Sequence, residues 1–207
     1  MPNYLIDLSQ TTPLGQGAEH LVFQHPHRPD QLIKVMKPSS KVHRIRRPSV
    51  RRFGPLRIWH REMSEYLAAM AHGGHCDRLA RQFGLCETTR GLGIISERIE
   101  APDGSLAPTL SKYLASIDKD PKILRALHAD ADALFEDLRR FRVDWEDVTS
   151  DNVVVTGGTT PRMVIIDGLG SPTLIPLTHL SDRLFLRSSR MRQALLHKFI
   201  PGASAPA

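Results

Sequence analysis

Asp147-Val-Thr-Ser-Asp-Asn152, followed by Met163-Val-Ile-Ile-Asp167-Gly168, is the stretch whose reading decides the fold. The first segment is polar and carries a carboxylate and then an amide. The second is an apolar run ending in an acid backed by Gly168 and Gly170. Short apolar runs bounded by turn residues read as strands. Val153-Val-Val155, the Gly157-Gly158 pair and Met163–Ile166 therefore predict a hairpin. A strand end holds an acid such as Asp167 more rigidly than a loop would, and the glycines let the main chain turn sharply beside it.

Working outward, a helix is expected from Pro121 to about Arg140. Proline suits its first turn, and Ile123, Leu124, Leu127, Ala131, Leu134, Phe135 and Leu138 lie on one side. Thr109 is the expected N-cap of a shorter helix that buries Leu110, Tyr113 and Leu114. Ile58 to His72 has helical spacing in Ile58, Met63, Tyr66, Leu67 and Met70. Phe83–Cys86 and Gly91–Ile99 read as paired strands around Thr88-Thr-Arg-Gly91. Further upstream, Gln31–Met36 is an apolar strand with Lys34 in its middle, Leu21–Phe23 a strand, and Leu14-Gly-Gln-Gly17 a turn. Leu5–Leu8 reads as a short strand. Downstream, Leu180–Ile200 is basic and helical. Strands thus precede helices, with one embedded hairpin, which predicts an α+β fold in two lobes. The expected division is 1–100 for a lobe of strands plus one helix, 101–200 for a reduced helical lobe, and 201–207 for a disordered tail.

With 41% hydrophobic and 24% charged residues among 207, the chain can bury a core and is not a disordered polymer. The net charge of +6 is local: Lys41–Arg61 holds eight Lys or Arg and no acid, while the remainder nearly balances at 20 basic against 22 acidic side chains. That segment is either a solvated loop or a docking surface for an acidic partner. Its prolines and the lack of a recognition motif argue against nucleic acid. No window approaches a membrane-spanning run, and the N-terminal residues lack a secretory pattern. Cys76 and Cys86, without metal-ligand spacing, read as free thiols of a reducing cytosol, so a cytoplasmic location is expected. His25 with His27 and His72 with His75 lack matched acids or cysteines and read as loop histidines.

Phosphoryl transfer from ATP requires a loop over the phosphates, a cation to hold them, oxygen ligands for Mg²⁺ and a group that orients the acceptor hydroxyl. Asp167 offers a carboxylate and Asn152 an amide oxygen to magnesium. Asp147 stands where it can curl toward an acceptor. Taken singly, each position has an ordinary reading. Lys34 could be a surface strand lysine, Glu62 and Glu65 solvated helix acids, Gly15 and Gly17 a plain turn, and Asp144 and Asp147 loop caps. Their order is what distinguishes them.

In that order the chain resembles the protein-kinase and aminoglycoside-phosphotransferase superfamily. Asp147–Asn152 is similar to its catalytic loop, Asp167-Gly-Leu-Gly170 to its metal-binding segment, Leu14–Val22 to its phosphate-covering loop and Leu32-Ile-Lys-Val35 to its lysine strand. More narrowly it resembles the bacterial YrbL family of PhoP regulatory network proteins. The features that carry this are the His25-Pro26 turn, Ile33-Lys34-Val35, Glu62 with Tyr66, Thr88–Gly93, Leu110 with Tyr113-Leu114, and Asp167–Gly170 followed by Arg183 and Arg190.

The resemblance implies a kinase-like ATP- and Mg²⁺-binding protein, a small phosphotransferase of unknown acceptor (small molecule or protein) with a regulatory role. It implies catalytic roles for Asp147, Lys34 and Glu62, with Glu65 the alternative partner of Lys34. It assigns cofactor contacts to Gly15, Gly17, Val22, Lys34, Glu97 and Ile99, and metal binding to Asn152 and Asp167. The chain departs from the pattern in three places. His20 occupies the third glycine position of the covering loop, Trp145-Glu146 replaces the usual His-Arg, and about forty residues follow Asp167, with no Ala-Pro-Glu signature. These departures keep open the alternative of a nucleotide-binding pseudokinase or adaptor that docks a partner through Lys41–Arg61.

Overall fold

A computed structural model describes residues 5–17, 19–37, 52–118, 120–157, 160–171 and 177–202. Residues 41–51 of the basic segment, Gly158 of the expected hairpin turn and residues 203–207 of the expected tail lie outside the described residues. The chain divides into two compact units, Met1–His60 with Arg81–Arg98, and Arg61–Ala80 with Ile99–Ala207.

The first unit is a five-stranded sheet in the order β1-β2-β3-β5-β4, formed by β1 (Gly15–Gln16), β2 (His20–Gln24), β3 (Gln31–Met36), β4 (Gln82–Thr88) and β5 (Gly91–Glu97). All neighbours run antiparallel. β3 is the central strand, and Gln31–Val35 are buried without interruption. That continuous burial explains why its sequence is an unbroken apolar run around Lys34 rather than an alternation. Leu8, Phe23, Ile33 and Val35 form the core beneath. The expected β4–β5 turn is closed by Thr88, whose hydroxyl donates to Gly91 O at 2.6 Å and accepts from Arg90 N at 3.1 Å.

The strand expected at Leu5–Leu8 reduces to one parallel bridge, Ile6 with Thr88. Leu8 is fully buried, and its N–H donates to Thr89 Oγ1 at 2.9 Å. Two main-chain bonds, Ile6 N to Glu87 O at 2.9 Å and Thr89 N to Ile6 O at 3.0 Å, hold this segment together with the Thr89 and Arg90 side chains.

The helix α1 (Arg57–Gly73) begins in the first unit and continues in the second. The second unit also contains α2 (Leu110–Ser116), α3 (Pro121–Arg140), the antiparallel hairpin β6 (Val153–Thr156) and β7 (Arg162–Ile165), α4 (Leu177–Leu180) and α5 (Asp182–Phe199). α3 starts where the sequence predicts, with Asp120 accepting from Lys122 N at 2.8 Å ahead of Pro121. It buries Leu124, Leu127, Ala131, Leu134, Phe135 and Leu138 against Trp145, Val153, Val155, Met163, Ile165 and Leu196. Arg78 anchors this core. It donates to Asp130 Oδ1 at 2.8 Å and to Asp137 Oδ2 at 3.0 Å, while Asp130 Oδ2 accepts from Met163 N at 2.6 Å, so β7 is tied to α3.

Two local expectations change here. Thr109 precedes α2, but its hydroxyl makes no capping bond; it lies 2.9 Å from Ser111 Oγ and donates to Asp151 at 3.3 Å. The helical stretch expected from Leu180 is broken at Ser181, which caps α5 by accepting from Leu184 N. The first lobe expected over 1–100 also gives up Arg61–Ala80 to the second unit. Within that unit Glu62 and Glu65 both accept main-chain N–H groups. Among the described residues no helix is long and apolar enough to cross a membrane.

Candidate functional site

In the first unit, Gly15 lies on β1, and Gly17 N donates to His20 O at 3.0 Å. Val22 on β2 is the register partner of Lys34 on β3. Lys34 is 5% exposed, so it is not the surface lysine of the ordinary reading. Burying an ammonium costs several kcal/mol unless it is compensated, which marks the position as more than a solubilising charge. Glu97 ends β5, with its N–H donating to Arg81 O at 2.8 Å and its carboxylate accepting from Arg81 N at 3.0 Å. Ile99, in the second unit, accepts at its carbonyl from Ala107 N at 2.9 Å. His20 fills the third glycine position as a buried side chain, stacked on Trp59 and accepting from Trp59 Nε1 at 2.9 Å.

In the second unit the two deciding segments come together. The β6–β7 hairpin brings Asn152, just before β6, beside the residues that follow β7, and Ile166 N donates to Asn152 O at 2.9 Å. The Asn152 amide donates to Asp147 O at 2.9 Å and to Asp147 Oδ2 at 3.1 Å, so its carbonyl oxygen is the atom left to act as a ligand. Residues 144–147 then run antiparallel to 168–170. Asp147 N donates to Gly168 O at 3.1 Å, Gly170 N donates to Asp144 O at 2.8 Å, and Trp145 bridges Leu169. This short ladder sets Asp147 against the Asp167-Gly168 turn.

Both glycines of that turn are required. Gly168 has φ +85°, and a Cβ there would lie 2.7 Å from Asn152 Nδ2 and 2.8 Å from Asp147 O. Gly170 has φ +77°, and its Cβ would lie 3.1 Å from Arg61 O. Gly168→Ala is therefore expected to cost about 2 kcal/mol or more, from the left-handed backbone together with the clash. A urea midpoint shift checks this, and an unchanged midpoint would show that the junction yields.

The turn is held from α1. Glu62, 3% exposed, accepts from Gly168 N at 3.3 Å through Oε1, and Asp167 Oδ1 accepts from the same N–H at 2.8 Å. Glu65, also 3% exposed, accepts from Asp144 N at 2.8 Å. The two helix acids, which one turn of sequence could not separate, thus serve different segments. Glu62 meets the Asp167 turn and Glu65 the start of the Asp147 loop.

Beyond this set lies a group the sequence reading did not assemble. Asp144 is 2% exposed. Its carboxylate accepts from Thr178 Oγ1 at 3.0 Å and pairs with Arg192, whose guanidinium also pairs with Glu146. Burial pushes the Glu65 carboxyl up to about 8 against the pull of Arg192. Burial also raises the Glu146 carboxyl, with Arg61 opposing and Asp147 adding. Only the Asp-x-Glu spacing around Trp145 hinted at this group. Its cation comes from a helix far along the chain. Among the described residues no three His, Cys, Asp or Glu side chains form a metal set.

A sheet unit bearing a buried strand lysine, and a helical unit bearing the Asp147–Asn152 and Asp167–Gly170 junction, make up a kinase-like fold with a reduced C-terminal lobe. Crystal structures of the Mycobacterium tuberculosis PknI kinase domain share the fold at a TM-score of 0.51. A double mutant of that domain is 18% identical and a single mutant 19%; each match covers 95% of this chain, and 76% and 77% of those chains respectively. The chain belongs to the family described as PhoP regulatory network protein YrbL, whose model matches residues 6–199. No curated protein matches it.

Proposed function

We propose that this protein binds Mg·ATP and transfers its γ-phosphoryl group to a small-molecule or protein acceptor, in a regulatory role. The observation that carries the reading is the Asp147–Asn152–Gly168 junction. It draws the acid, the amide and the Asp167 turn into one hydrogen-bonded unit. Asp147 would orient the acceptor hydroxyl and take its proton. Lys34 would hold the α- and β-phosphates, with Glu62 as its partner, and Gly15, Gly17, Val22, Glu97 and Ile99 would contact the nucleotide. A Cβ at Gly15 or Gly17 would meet nothing within 4 Å, so packing does not explain glycine there, and close approach of a phosphate would. The Asp167 carboxylate and Asn152 carbonyl are hard oxygen donors of the kind Mg²⁺ takes in ones and twos alongside phosphate and water. Bound magnesium would neutralise charge on the phosphate oxygens.

The test is thermal. Mg·ATP at about a hundred times Kd should stabilise by ~2.7 kcal/mol and raise Tm by roughly 8 °C. Lys34→Ala should remove that rise. A parent protein whose Tm ignores Mg·ATP would end the proposal.

One observation favours a second reading, a nucleotide-binding pseudoenzyme that docks an acidic partner through Lys41–Arg61. His20 is packed into the covering loop and bonded to Trp59, where the superfamily pattern has glycine. Nucleotide binding with the γ-phosphate retained across many acceptors, water included, would select it.

A further inference from the structure

Trp145 sits between two acids, and both face one cation. Arg192, on α5, directs Nη1 to Asp144 Oδ1 and Nη2 to Glu146 Oε2. Trp145 itself is 1% exposed and stacked on Phe135. The main chain at Asp144 accepts from Gly170 N, and the main chain at Asp147 donates to Gly168 O. The guanidinium therefore grips the strand of the ladder whose last residue is Asp147, one residue beyond Glu146.

We infer that Arg192 is a positioning residue for Asp147: its fork joins the acids on either side of Trp145 and so fixes the ladder that carries Asp147. The chain places Glu146 where the superfamily pattern has arginine and supplies the cation from its own α5. The loop is thus held by a covalently linked helix. Four other groups surround the fork. Glu65 acts on Arg192 electrostatically, and Arg61 and Asp147 act on Glu146. Glu65 also accepts from Asp144 N, and Thr178 donates to the second Asp144 oxygen. Arg192 reaches both acids with hydrogen-bonding nitrogens. A guanidinium spans two carboxylates with a planar fork, whereas an ammonium of the same charge is a point donor that cannot reproduce the geometry. Arg192→Lys thus separates charge from fork.

The role assigned to Asp147 rests on the phosphotransfer reading, but the clamp does not, so the experiment reads them separately. Amide hydrogen exchange on the full chain should show Asp147 and Gly170 exchanging about 10-fold faster or more in Arg192→Lys than in the parent. Val155 and Ile165, whose amides bond Pro108 O and Arg78 O, should keep their rates. Glu146→Gln should shift the same two amides by less, and the double variant should be no worse than Arg192→Lys alone, the signature of residues acting through one contact. Should Arg192→Lys fail to fold, Glu146→Gln carries the comparison, because its carboxylate is partly exposed. Equal acceleration at all four amides, or none, would overturn the clamp. Where the parent turns over ATP, Arg192→Lys should lower kcat about 10-fold with KM for ATP within about 3-fold, the split of a group that orients without binding. An unchanged kcat would remove the positioning role. A parent without turnover sinks only the phosphotransfer reading, while exchange still decides the clamp.

Discussion

Asp167→Ala is expected to abolish the Mg·ATP-dependent rise in Tm and to reduce phosphoryl transfer by roughly 10²-fold or more, the scale seen when one group stabilising transition-state charge is lost. The loss should fall on the ligand rather than on the fold. Gly168 N donates to both Asp167 Oδ1 and Glu62 Oε1. Removing the first acceptor leaves that N–H bonded to the second, so the turn keeps its anchor on α1. The Gly168 and Gly170 backbones, the ladder to Asp144–Asp147 and the Asn152 bonds to Asp147 involve no atom of the Asp167 side chain. Tm without nucleotide should accordingly stay within about 3 °C of the parent, the scale of ~1 kcal/mol for a chain of this size. Asp167→Asn sharpens the comparison by preserving shape while deleting charge, and it should lose the Mg·ATP response as well. If either variant responds to Mg·ATP like the parent, Asp167 is not a magnesium ligand.

The largest stability effect is expected from pH. The unfolded chain releases the Glu65 proton near the ordinary value of 4.5, and the folded chain releases it at about 8. Between these values the native state holds a proton that the unfolded state has lost. The contribution of Glu65 is therefore complete below the unfolded value and is given up as pH rises through the folded one. One proton is worth ~1.4 kcal/mol per pH unit, so from pH 5 to 8 the difference is on the order of 4 kcal/mol. Glu65→Gln retains an acceptor for Asp144 N and carries no ionisable group. Its urea-unfolding free energy should run flatter than the parent's across this window, and the two curves should separate most at pH 8. Parallel curves would place the Glu65 carboxyl near its ordinary value.

How far the sequence could be read follows from the range of the forces involved. α3, β3 and the β6–β7 hairpin were legible because their signals are local. A proline after an acid starts the helix, an unbroken apolar run marks the central strand, and apolar segments flank a glycine pair. The Asp147, Asn152 and Asp167 positions were legible as a pattern, and their hydrogen-bonded junction follows from the hairpin between them. Lys34 and Glu65 were less so, because burial is a property of the folded neighbourhood and a lysine or glutamate carries no sequence mark of it. Arg192 was illegible as a site residue. It sits in a helix rich in arginine, and nothing nearby distinguishes the one that meets Asp144 from its neighbours. The Leu5–Leu8 segment misled because a strand needs pairing along its length, and here only Ile6 bonds the main chain of the neighbouring strand end while Leu8 is held by the Thr89 hydroxyl.

The dependence of Asp144 on Arg192 gives the order of synthesis a meaning. The ribosome releases the Asp147 loop well before α5, so a nascent chain carries the loop acids while their cation is still being translated. Burying those acids would be costly before α5 emerges with the side chains it buries, Phe185, Leu196 and Ile200. Closure of the Asp144–Asp147 ladder therefore waits on the helix that is made last.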